Sequence, residues 1–586
     1  MGSMWKFKTN GISTRYRSAD RMFRIALGSL TLCALAVFLF FARLDVGGED
    51  GVYYTPALAV RDGFVIHRQV FNQYGPVFAV FQSVLMRIGH IDTVLGLRYL
   101  DGTLLALTGL VAALMFRRVY SATAVLCGLV TWFASAYFLS NGISAVAWPS
   151  VLSLLLSVVV LMVVIDNTGR VITDNALKLF ATGVMTALQQ YVRLNLGTTS
   201  LIGIAAVVLF AGFRPKGPRP WRGLLWFSAG AVAMNFVMVT WLAINHALGP
   251  FLDQSVRAPA AYYGAGGRNP GITNGEIPIE HMSRFGIMYG LPAVLILIVA
   301  ILVSTVEVRP ARRNLISALG GFISISAAVI LWDKGLAADP FKRFSSVYGL
   351  VIAALVIGPF FLGKLATDAW HRDQASEDEE SVLPRILIGG FAVASVIQLY
   401  PGDDPRHLFW VGLIPIIMIL GEVTRLHYVR TKWFVPAVVA AWTVVSTINP
   451  AMQNARLVRT EVSLGIAYDG LLVQSTQMSE IDDVTSVLKS LPRDKRAVFL
   501  CGDAQYATWF KRFVSADRMY VTWPWQLDYQ SMAEVRTATW ESASTVVLCA
   551  SPDAAKEWAT ANGYLVVADK GPVALLEKAG SDKSNG

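Results

Sequence analysis

The stretch MFRIALGSLTLCALAVFLFFA, residues 22–42, followed directly by RLDVGGEDGVYY, residues 43–54, decides the fold class of this chain. A run of about 20 apolar residues is long enough to cross the hydrocarbon core of a bilayer. The run is too long for the apolar core of a signal peptide, and no small-residue cleavage motif follows it. Basic residues precede it: Lys6, Lys8, Arg15, Arg17 and Arg21. We therefore expect a retained first transmembrane helix with a cytoplasmic N-terminus.

Composition extends this expectation to most of the chain. Of its 586 residues, 54% are hydrophobic and 15% are charged, and the mean hydropathy is +0.50. This balance excludes a series of soluble domains and intrinsic disorder, and four cysteines are too few for a disulfide-stabilised secreted scaffold. Further apolar runs bring the expected number of transmembrane helices to about thirteen. These runs are 97–116, 121–140, 146–165, 176–192, 197–213, 223–246, 285–304, 315–332, 345–366, 386–400, 408–424 and 433–449.

The charges of the connecting loops predict the orientation, because Lys and Arg are retained on the cytoplasmic side. With the N-terminus inside, the basic loops at 117–118, 214–222, 309–313, 364–385 and 425–432 all fall inside. The formal net charge of +10 therefore comes mostly from basic residues in the cytoplasmic loops, and no nucleic-acid partner is expected. We predict an integral plasma (inner) membrane protein surrounded by membrane lipids. Its outward segments are then 43–96, 247–284, 333–344, 400–407 and the tail from 450.

The first outward segment is more than a plain loop. After the acidic stretch, TPALAVRDG (55–63) predicts a short helix. YGPVFAVFQSVLMRIG (74–89) begins at a Gly-Pro break, and its apolar run is only about half the length of a membrane span. We expect it to form an interfacial helix that lies along the membrane.

The tail changes character, because its apolar runs shorten to strand length and alternate with amphipathic segments. We predict helices at 479–490, 505–513, 531–541 and 552–561, and strands at 497–501, 519–523, 545–549 and 564–567. The chain thus divides into a transmembrane domain, 1–449, and an extracytoplasmic α/β domain, 450–586. Cys501 and Cys549 each close a strand, so a disulfide between them and two free thiols are both open interpretations.

An acidic pair, Glu49-Asp50, lies just outside the first span. A carboxylate at a membrane surface is suited to take a proton from an acceptor hydroxyl while a lipid-borne substrate lies beside it. The alternative is that both are solvent-exposed loop residues without a role in catalysis.

The frame around this pair resembles the start of the GT-C glycosyltransferases. GGEDGVYY (47–54) and FNQYGPVFAVF (71–81) are similar to the first outer loop of protein O-mannosyltransferases and of the lipid A aminoarabinose transferase. That loop has Asp-Glu, then Tyr, then a surface helix with a proline, whereas this chain has Glu49 before Asp50. The resemblance implies a carboxylate base at Asp50 or Glu49, with Asp50 favoured because Gly51 allows close approach, and substrate contacts at Tyr53 and Tyr74.

Cations on the outward face are expected to bind the phosphate of a polyprenyl donor, because topology alone disfavours them there. The candidate cations are Arg193 in QQYVRLNLG, Arg257, Lys334, Arg343, and Arg406 and His407 in YPGDDPRHLFW, where Asp404 is a further candidate substrate contact. The resemblance implies a phosphate contact at Arg406 and His407. Snorkelling of Arg193 and contacts with lipid headgroups are the alternatives.

These patterns predict a polytopic α-helical, GT-C-like enzyme. It would transfer a sugar from a polyprenyl-phosphate donor to an extracytoplasmic acceptor, a cell-envelope polysaccharide or glycolipid, with inversion at the anomeric carbon. No nucleotide-binding, dinucleotide-binding or metal motif is present in the sequence, so neither a cofactor nor a metal is expected. The alternatives are a lipid-linked oligosaccharide ligase or polymerase, and a transporter or flippase, although we detect no internal repeat.

Overall fold

The computed structural model describes fourteen stretches of the chain. They are residues 9–44, 49–135, 148–173, 175–212, 220–260, 382–395, 405–425, 432–460, 462–463, 470–473, 475–491, 495–500, 543–571 and 573–580.

Within these stretches the first part of the chain is helical. Its helices are α1 (Thr9–Phe41), α2 (Glu49–Arg61), α3 (Pro76–Gly89), α4 (Val94–Phe116), α5 (Ala122–Ser135), α6 (Pro149–Val164), α7 (Ala176–Gln190), α8 (Leu194–Gly212), α9 (Pro220–Ile244), α10 (Leu248–Leu252), α11 (Val382–Ser395), α12 (Pro405–Val423) and α13 (Phe434–Thr460). A π-helical turn, Asp253–Arg257, follows α10.

Most of the predicted spans coincide with these helices, and those at 285–304, 315–332 and 345–366 lie outside the described residues. Among the described residues, three helical segments are long and apolar enough to cross a membrane: Asp20–Phe41, Val94–Phe116 and Trp221–Ile244. Several shorter helices are equally apolar. Helices of this length and apolar composition are typical of a multi-pass membrane protein, and the number of thirteen spans and their orientation remain predictions.

Helices α1 and α4 run in opposite directions, and their contacts define the two ends of the bundle. Near the start of α4, the guanidinium of Arg98 donates to the carbonyls of Ala42 (3.0 Å) and Leu44 (2.8 Å), just beyond the end of α1. At the other end of α4, Arg117 lies 5.7 Å from the ring centre of Phe23, early in α1. The end of α1 and the start of α4 therefore share one end of the bundle.

Helices α7 and α9 approach each other closely because glycines face the partner backbone. A Cβ atom on Gly183 would lie 2.0 Å from the carbonyl oxygen of Phe227, and one on Gly230 would lie 2.0 Å from that of Phe180. Small residues of this kind allow tight packing of helices in membranes. This contact holds the middle of α7 against α9.

The tail forms a small α/β domain. It contains β1 (Val462–Ser463), β2 (Leu472–Val473), α14 (Ser475–Lys489), β3 (Val498–Phe499), β4 (Thr545–Cys549), α15 (Pro552–Asn562), β5 (Tyr564–Lys570) and β6 (Val573–Lys578). The main sheet has the order β3-β4-β6-β5, in which β3 and β4 are parallel and the other pairs are antiparallel.

The two faces of this sheet are covered by different helices. Val487 and Leu488 of α14 pack with Val547 on one face, and Ala555 of α15 packs with Val546 on the other. Cys549 is disulfide-bonded, and Cys501 lies outside the described residues together with the segments predicted at 505–513, 519–523 and 531–541.

Several elements of this region differ from the sequence predictions, and strands β1 and β2 were not predicted. Strand β6 was not predicted, although the turn at Gly571, with φ of +56°, brings its apolar run back against β5. Helix α14 begins at Ser475 rather than 479. Helix α13 continues to Thr460, past the predicted span end at 449. Its last turns are more polar and extend the same helix beyond its apolar part. The domain boundary at 449/450 remains a prediction.

A buried ion pair joins the helices at the end opposite Arg98. The Arg385 guanidinium of α11 makes two contacts with the Glu422 carboxylate of α12, one of them from Nε at 2.8 Å. The hydroxyl of Tyr120 also donates to Glu422, at 3.1 Å. The two charged side chains are only 15% and 12% exposed.

We expect Glu422→Gln to lower the stability of the protein, because it removes the negative charge that Glu422 supplies to the largely buried Arg385 guanidinium. Breaking a buried pair in this way costs about 3–5 kcal/mol. The matched control is Asp20→Asn, which removes a partner of Arg24 in a pair whose side chains are 75% and 48% exposed; that change costs about 1 kcal/mol or less. Thermal unfolding in detergent measures both, and equal effects of the two variants would contradict the burial argument.

Candidate active site

Helix α2 begins at the acidic pair, with Glu49 as its first residue. The predicted start at Thr55 was therefore wrong: Pro56 lies inside the helix, and Glu49 and Asp50 belong to its first turn, where acidic residue types are favoured. The side chains of Glu49 and Asp50 lie outside the described residues. Their backbone places them one turn before Tyr53.

Tyr53 and Tyr74 meet at the centre of the candidate site. Their hydroxyl oxygens are 3.3 Å apart and their ring centres 5.8 Å apart. The adjacent Tyr54 has another role, because its hydroxyl donates to the carbonyl of Asp92 at 2.7 Å. Burial raises the pKa of Tyr54, which keeps this phenol neutral as a donor. Of the two consecutive tyrosines, only Tyr53 contacts Tyr74.

The turn at Tyr74-Gly75-Pro76 lies directly against the end of α7. The amide of Val77 donates to the carbonyl of Tyr191 at 3.1 Å. A Cβ atom on Gly75 would lie 1.9 Å from that same oxygen, so only glycine allows the approach. The turn is therefore adjacent to Arg193, two residues beyond Tyr191.

Arg193 lies over Tyr74. Its Cζ atom is 5.5 Å from the centre of the Tyr74 ring, a cation–π contact. One guanidinium nitrogen donates to the hydroxyl of Ser150 in the first turn of α6. Arg193 is only 7% exposed, so it is held within the bundle end instead of extending freely to the surface.

The end of α7 is fixed to α6 by Gln189. Its side-chain amide donates to the carbonyl of Ser153 at 2.9 Å and to the hydroxyl of Ser157 at 2.7 Å. A polar residue inside a membrane helix pair is costly and tends to have a specific role. Here Gln189 determines where the following residues, including Arg193, lie relative to Ser150.

Aromatic contacts connect α2 with α12. The ring centre of Trp148 lies 5.4 Å from that of Tyr53 and 6.4 Å from that of Trp410. Arg406 and His407 stand in the first turn of α12, about one turn before Trp410; their side chains lie outside the described residues. The first turns of α2 and α12 are thus at the same end of the bundle.

Not every predicted residue belongs to this cluster. Arg257 forms an ion pair of 2.9 Å with Asp253 inside the π turn, and its side chain is 61% exposed. Lys334, Arg343 and Asp404 lie outside the described residues. Within the described stretches no group of three His, Cys, Asp or Glu side chains is arranged to hold a metal ion. The absence of a metal remains a prediction, since the side chains of Glu49, Asp50 and Asp404 lie outside the described residues.

Sequence reasoning missed Trp148, Ser150 and Gln189. Gln189 gave a signal, since it is a polar residue within a predicted apolar span. Trp148 and Ser150 gave none, because their importance comes from residues distant in the chain.

Two enzymes of known structure are similar to this chain over most of its length. The oligosaccharyltransferase of Archaeoglobus fulgidus, in complex with Zn and sulfate, is 12% identical with a TM-score of 0.46, over 88% of this chain and 67% of that chain. ArnT from Cupriavidus metallidurans, bound to undecaprenyl phosphate, is 13% identical with a TM-score of 0.44, over 95% of this chain and 98% of that chain. Another structure of the archaeal enzyme, named AglB, contains an inhibitory peptide and a dolichol-phosphate; it is 12% identical with a TM-score of 0.46, over 89% of this chain and 69% of that chain.

Both enzymes are membrane glycosyltransferases of the GT-C superfamily, the superfamily that the sequence around Glu49-Asp50 resembles. A likeness at this identity and TM-score concerns the course of the chain, and it assigns no activity, donor or acceptor to this protein. No protein-family model matches the sequence, and no curated protein matches it.

We expect Gly75→Ala to separate the Tyr74 turn from the end of α7, because the new methyl group would overlap the Tyr191 carbonyl. Overpacking of this kind costs about 1–3 kcal/mol. Gly249→Ala is the control, since a Cβ atom there meets nothing within 4 Å. The measurement is the apparent melting temperature in detergent, and a Gly75→Ala protein as stable as the Gly249→Ala protein would contradict the predicted overlap.

Proposed function

We propose that this protein is a membrane glycosyltransferase that transfers a sugar from a polyprenyl-phosphate donor to an extracytoplasmic acceptor, a cell-envelope glycan or glycolipid. The observation that supports it is the arrangement at one end of the bundle: Arg193 lies over Tyr74, Tyr74 contacts Tyr53, and Tyr53 follows the acidic first turn of α2. A transferase of this kind needs a carboxylate near an anion-binding cation, and both classes of residue occur here.

In the proposed mechanism, Asp50 or Glu49 removes the proton from the acceptor hydroxyl. The acceptor oxygen then forms a bond to the anomeric carbon as the bond from that carbon to the phosphate oxygen breaks, and the polyprenyl phosphate leaves with the electron pair. In-line displacement inverts the anomeric centre. Asp50 is the favoured base, because Gly51 beside it allows a substrate to approach the backbone.

The departing phosphate needs positive charge and hydrogen-bond donors. Arg193 supplies a guanidinium that Ser150 and Tyr74 hold in place. We assign Arg406 and His407 to the same phosphate, since they occupy the first turn of α12 and helix N-termini favour anions. Lys334, Arg343 and Arg257 are further candidate phosphate ligands, and Asp404, which directly precedes α12, is a further candidate substrate contact.

The α/β domain is a candidate for binding or orienting the acceptor. Its first strands are attached to the end of α1, where the amide of Leu472 donates to the carbonyl of Arg43 at 2.7 Å. Arg496 also lies 5.1 Å from the ring centre of Phe64, in the segment between α2 and α3. With α3 at the membrane surface and the N-terminus in the cytoplasm, this domain would be on the extracytoplasmic side of the plasma (inner) membrane.

The double variant Glu49→Gln, Asp50→Asn is expected to abolish sugar transfer while donor binding stays within about twofold of wild type, because the carboxylates act on the acceptor. Asp62→Asn, at the far end of the same helix, is the control and keeps full activity. Release of polyprenyl phosphate from a polyprenyl-phosphate sugar, measured in detergent with a mixture of envelope glycolipids, reports the reaction. Full release by the double variant would contradict the proposed base.

The variant Arg193→Ala is expected to weaken binding of undecaprenyl phosphate by about tenfold or more, because it removes a charge-assisted contact with the phosphate. Lys178→Ala removes an equal charge from the opposite, exposed end of α7 and serves as the control. Binding is measured by the change in intrinsic tryptophan fluorescence, since Trp148 lies beside Tyr53. Equal affinities of the two variants would show that the phosphate binds elsewhere.

A further inference from the structure

The segment between α2 and α3, residues 62–75, contains Tyr74 and has no regular secondary structure. It includes His67, whose φ of +66° is uncommon for a residue with a side chain. Such a conformation persists only where surrounding contacts determine it.

Gln254 supplies three of these contacts although it lies far along the chain. Its side-chain nitrogen donates to the carbonyl of His67 at 2.8 Å. Its side-chain oxygen accepts from the amide of Asn72 at 3.1 Å and lies 3.1 Å from Nδ1 of His67. Gln254 is 2% exposed, so these bonds are made away from water.

The orientation of Gln254 also determines the form of the histidine ring. Because the oxygen of Gln254 faces Nδ1 of His67, Nδ1 must be the protonated nitrogen of a neutral ring. Burial lowers the pKa of His67 to about 4, which agrees with a neutral ring at physiological pH. The ring packs edge-on against Phe251, with centres 5.1 Å apart.

The contact continues from this segment to Tyr74 itself. The hydroxyl of Ser255, next to Gln254, donates to the carbonyl of Tyr74 at 3.3 Å. Asn72, which donates its backbone amide to Gln254, donates its side-chain amide to the carbonyl of Gly75 at 3.2 Å. The carbonyl of Tyr74 is therefore bound directly to the π turn through Ser255, and the carbonyl of Gly75 is bound to it indirectly through Asn72.

The same element also contacts the other half of the candidate site. Phe251 of α10, three residues before Gln254, lies with its ring centre 6.0 Å from that of Tyr191. Tyr191 is part of the turn that leads to Arg193. The π turn itself is the kind of helical irregularity that often occurs at functional sites. The continuous helical stretch of α10 and the π turn therefore contacts both the segment that carries Tyr74 and the turn that leads to Arg193.

We propose that Gln254 is a positioning residue that holds Tyr74 beneath Arg193, and so determines the affinity of the site for a polyprenyl phosphate. The inference rests on the proposed function for the identity of the ligand, but the positioning itself is a property of the folded chain. Gln254 acts through Asn72 and His67, and no contact of Gln254 with the substrate is required.

The test uses Gln254→Met, which keeps the volume of the side chain and removes its hydrogen bonds. The control is Gln69→Met, in the same segment, where an exposed glutamine accepts only from the amide of Val65, at 2.8 Å. Hydrogen–deuterium exchange of the full-length protein in detergent is expected to rise about tenfold or more at residues 67–77 in Gln254→Met and to stay at the wild-type rate in Gln69→Met. Unchanged exchange in Gln254→Met would overturn the positioning role.

A double-mutant cycle on ligand binding separates a positioning role of Gln254 from a general destabilisation of the protein. Gln254→Met is expected to weaken binding of undecaprenyl phosphate by about tenfold in the wild-type background and by less than about twofold when Tyr74 is already replaced by alanine. An equal loss in both backgrounds would overturn the inference, because the effect would not pass through Tyr74. If the wild-type protein binds no undecaprenyl phosphate, the proposed donor is wrong, and the exchange experiment decides the positioning role alone.

A milder variant covers the case in which Gln254→Met does not fold. Ser255→Ala removes one hydroxyl contact with the carbonyl of Tyr74. It is expected to raise exchange at residues 74–77 by about threefold and leave residues 67–70 unchanged, because Gln254 still holds His67. Wild-type exchange at residues 74–77 in this variant would contradict the attachment of the turn to the π helix.

Discussion

The candidate site depends on the close approach of Gly75 to the carbonyl of Tyr191. This contact joins two parts of the chain that are distant in sequence, the segment between α2 and α3 and the turn between α7 and α8. It places Tyr74 next to Arg193, and Tyr53 and Trp148 then extend the cluster toward α12. A side chain larger than hydrogen at position 75 would separate the two halves.

The remainder of the bundle can be understood as support for that contact. Close packing through Gly183 and Gly230 fixes α7 against α9, and Gln189 fixes it against α6. The charged network at Glu422 stabilises the opposite end, away from the site. The proposed chemistry is thus located at the end where the helix starts of α2, α6, α8 and α12 meet, and the cations and carboxylates in those first turns are the residues to which we assign it.

Much of the fold was predictable because apolar length and loop charge are local properties of the sequence. The run 176–192 corresponds to α7 (Ala176–Gln190), and the helix expected after Gly75 is α3. Errors arose where a boundary depends on tertiary structure, as at the start of α2, which lies at Glu49 and not at the predicted Thr55. The site was predictable only in part. Glu49, Asp50, Tyr53, Tyr74 and Arg193 have residue types that suggest chemistry, whereas Trp148, Ser150 and Gln254 matter only because folding brings them to the same place.

The central claim is that a polyprenyl phosphate binds at this end of the bundle for sugar transfer. A cryo-EM structure of the protein with undecaprenyl phosphate tests it most directly. The account predicts density for the phosphate beside Arg193, between the first turn of α2 at Glu49-Asp50 and the first turn of α12 at Arg406-His407. A central cavity that opens alternately to the two sides of the membrane, with no phosphate at these helix starts, would contradict it and favour transport.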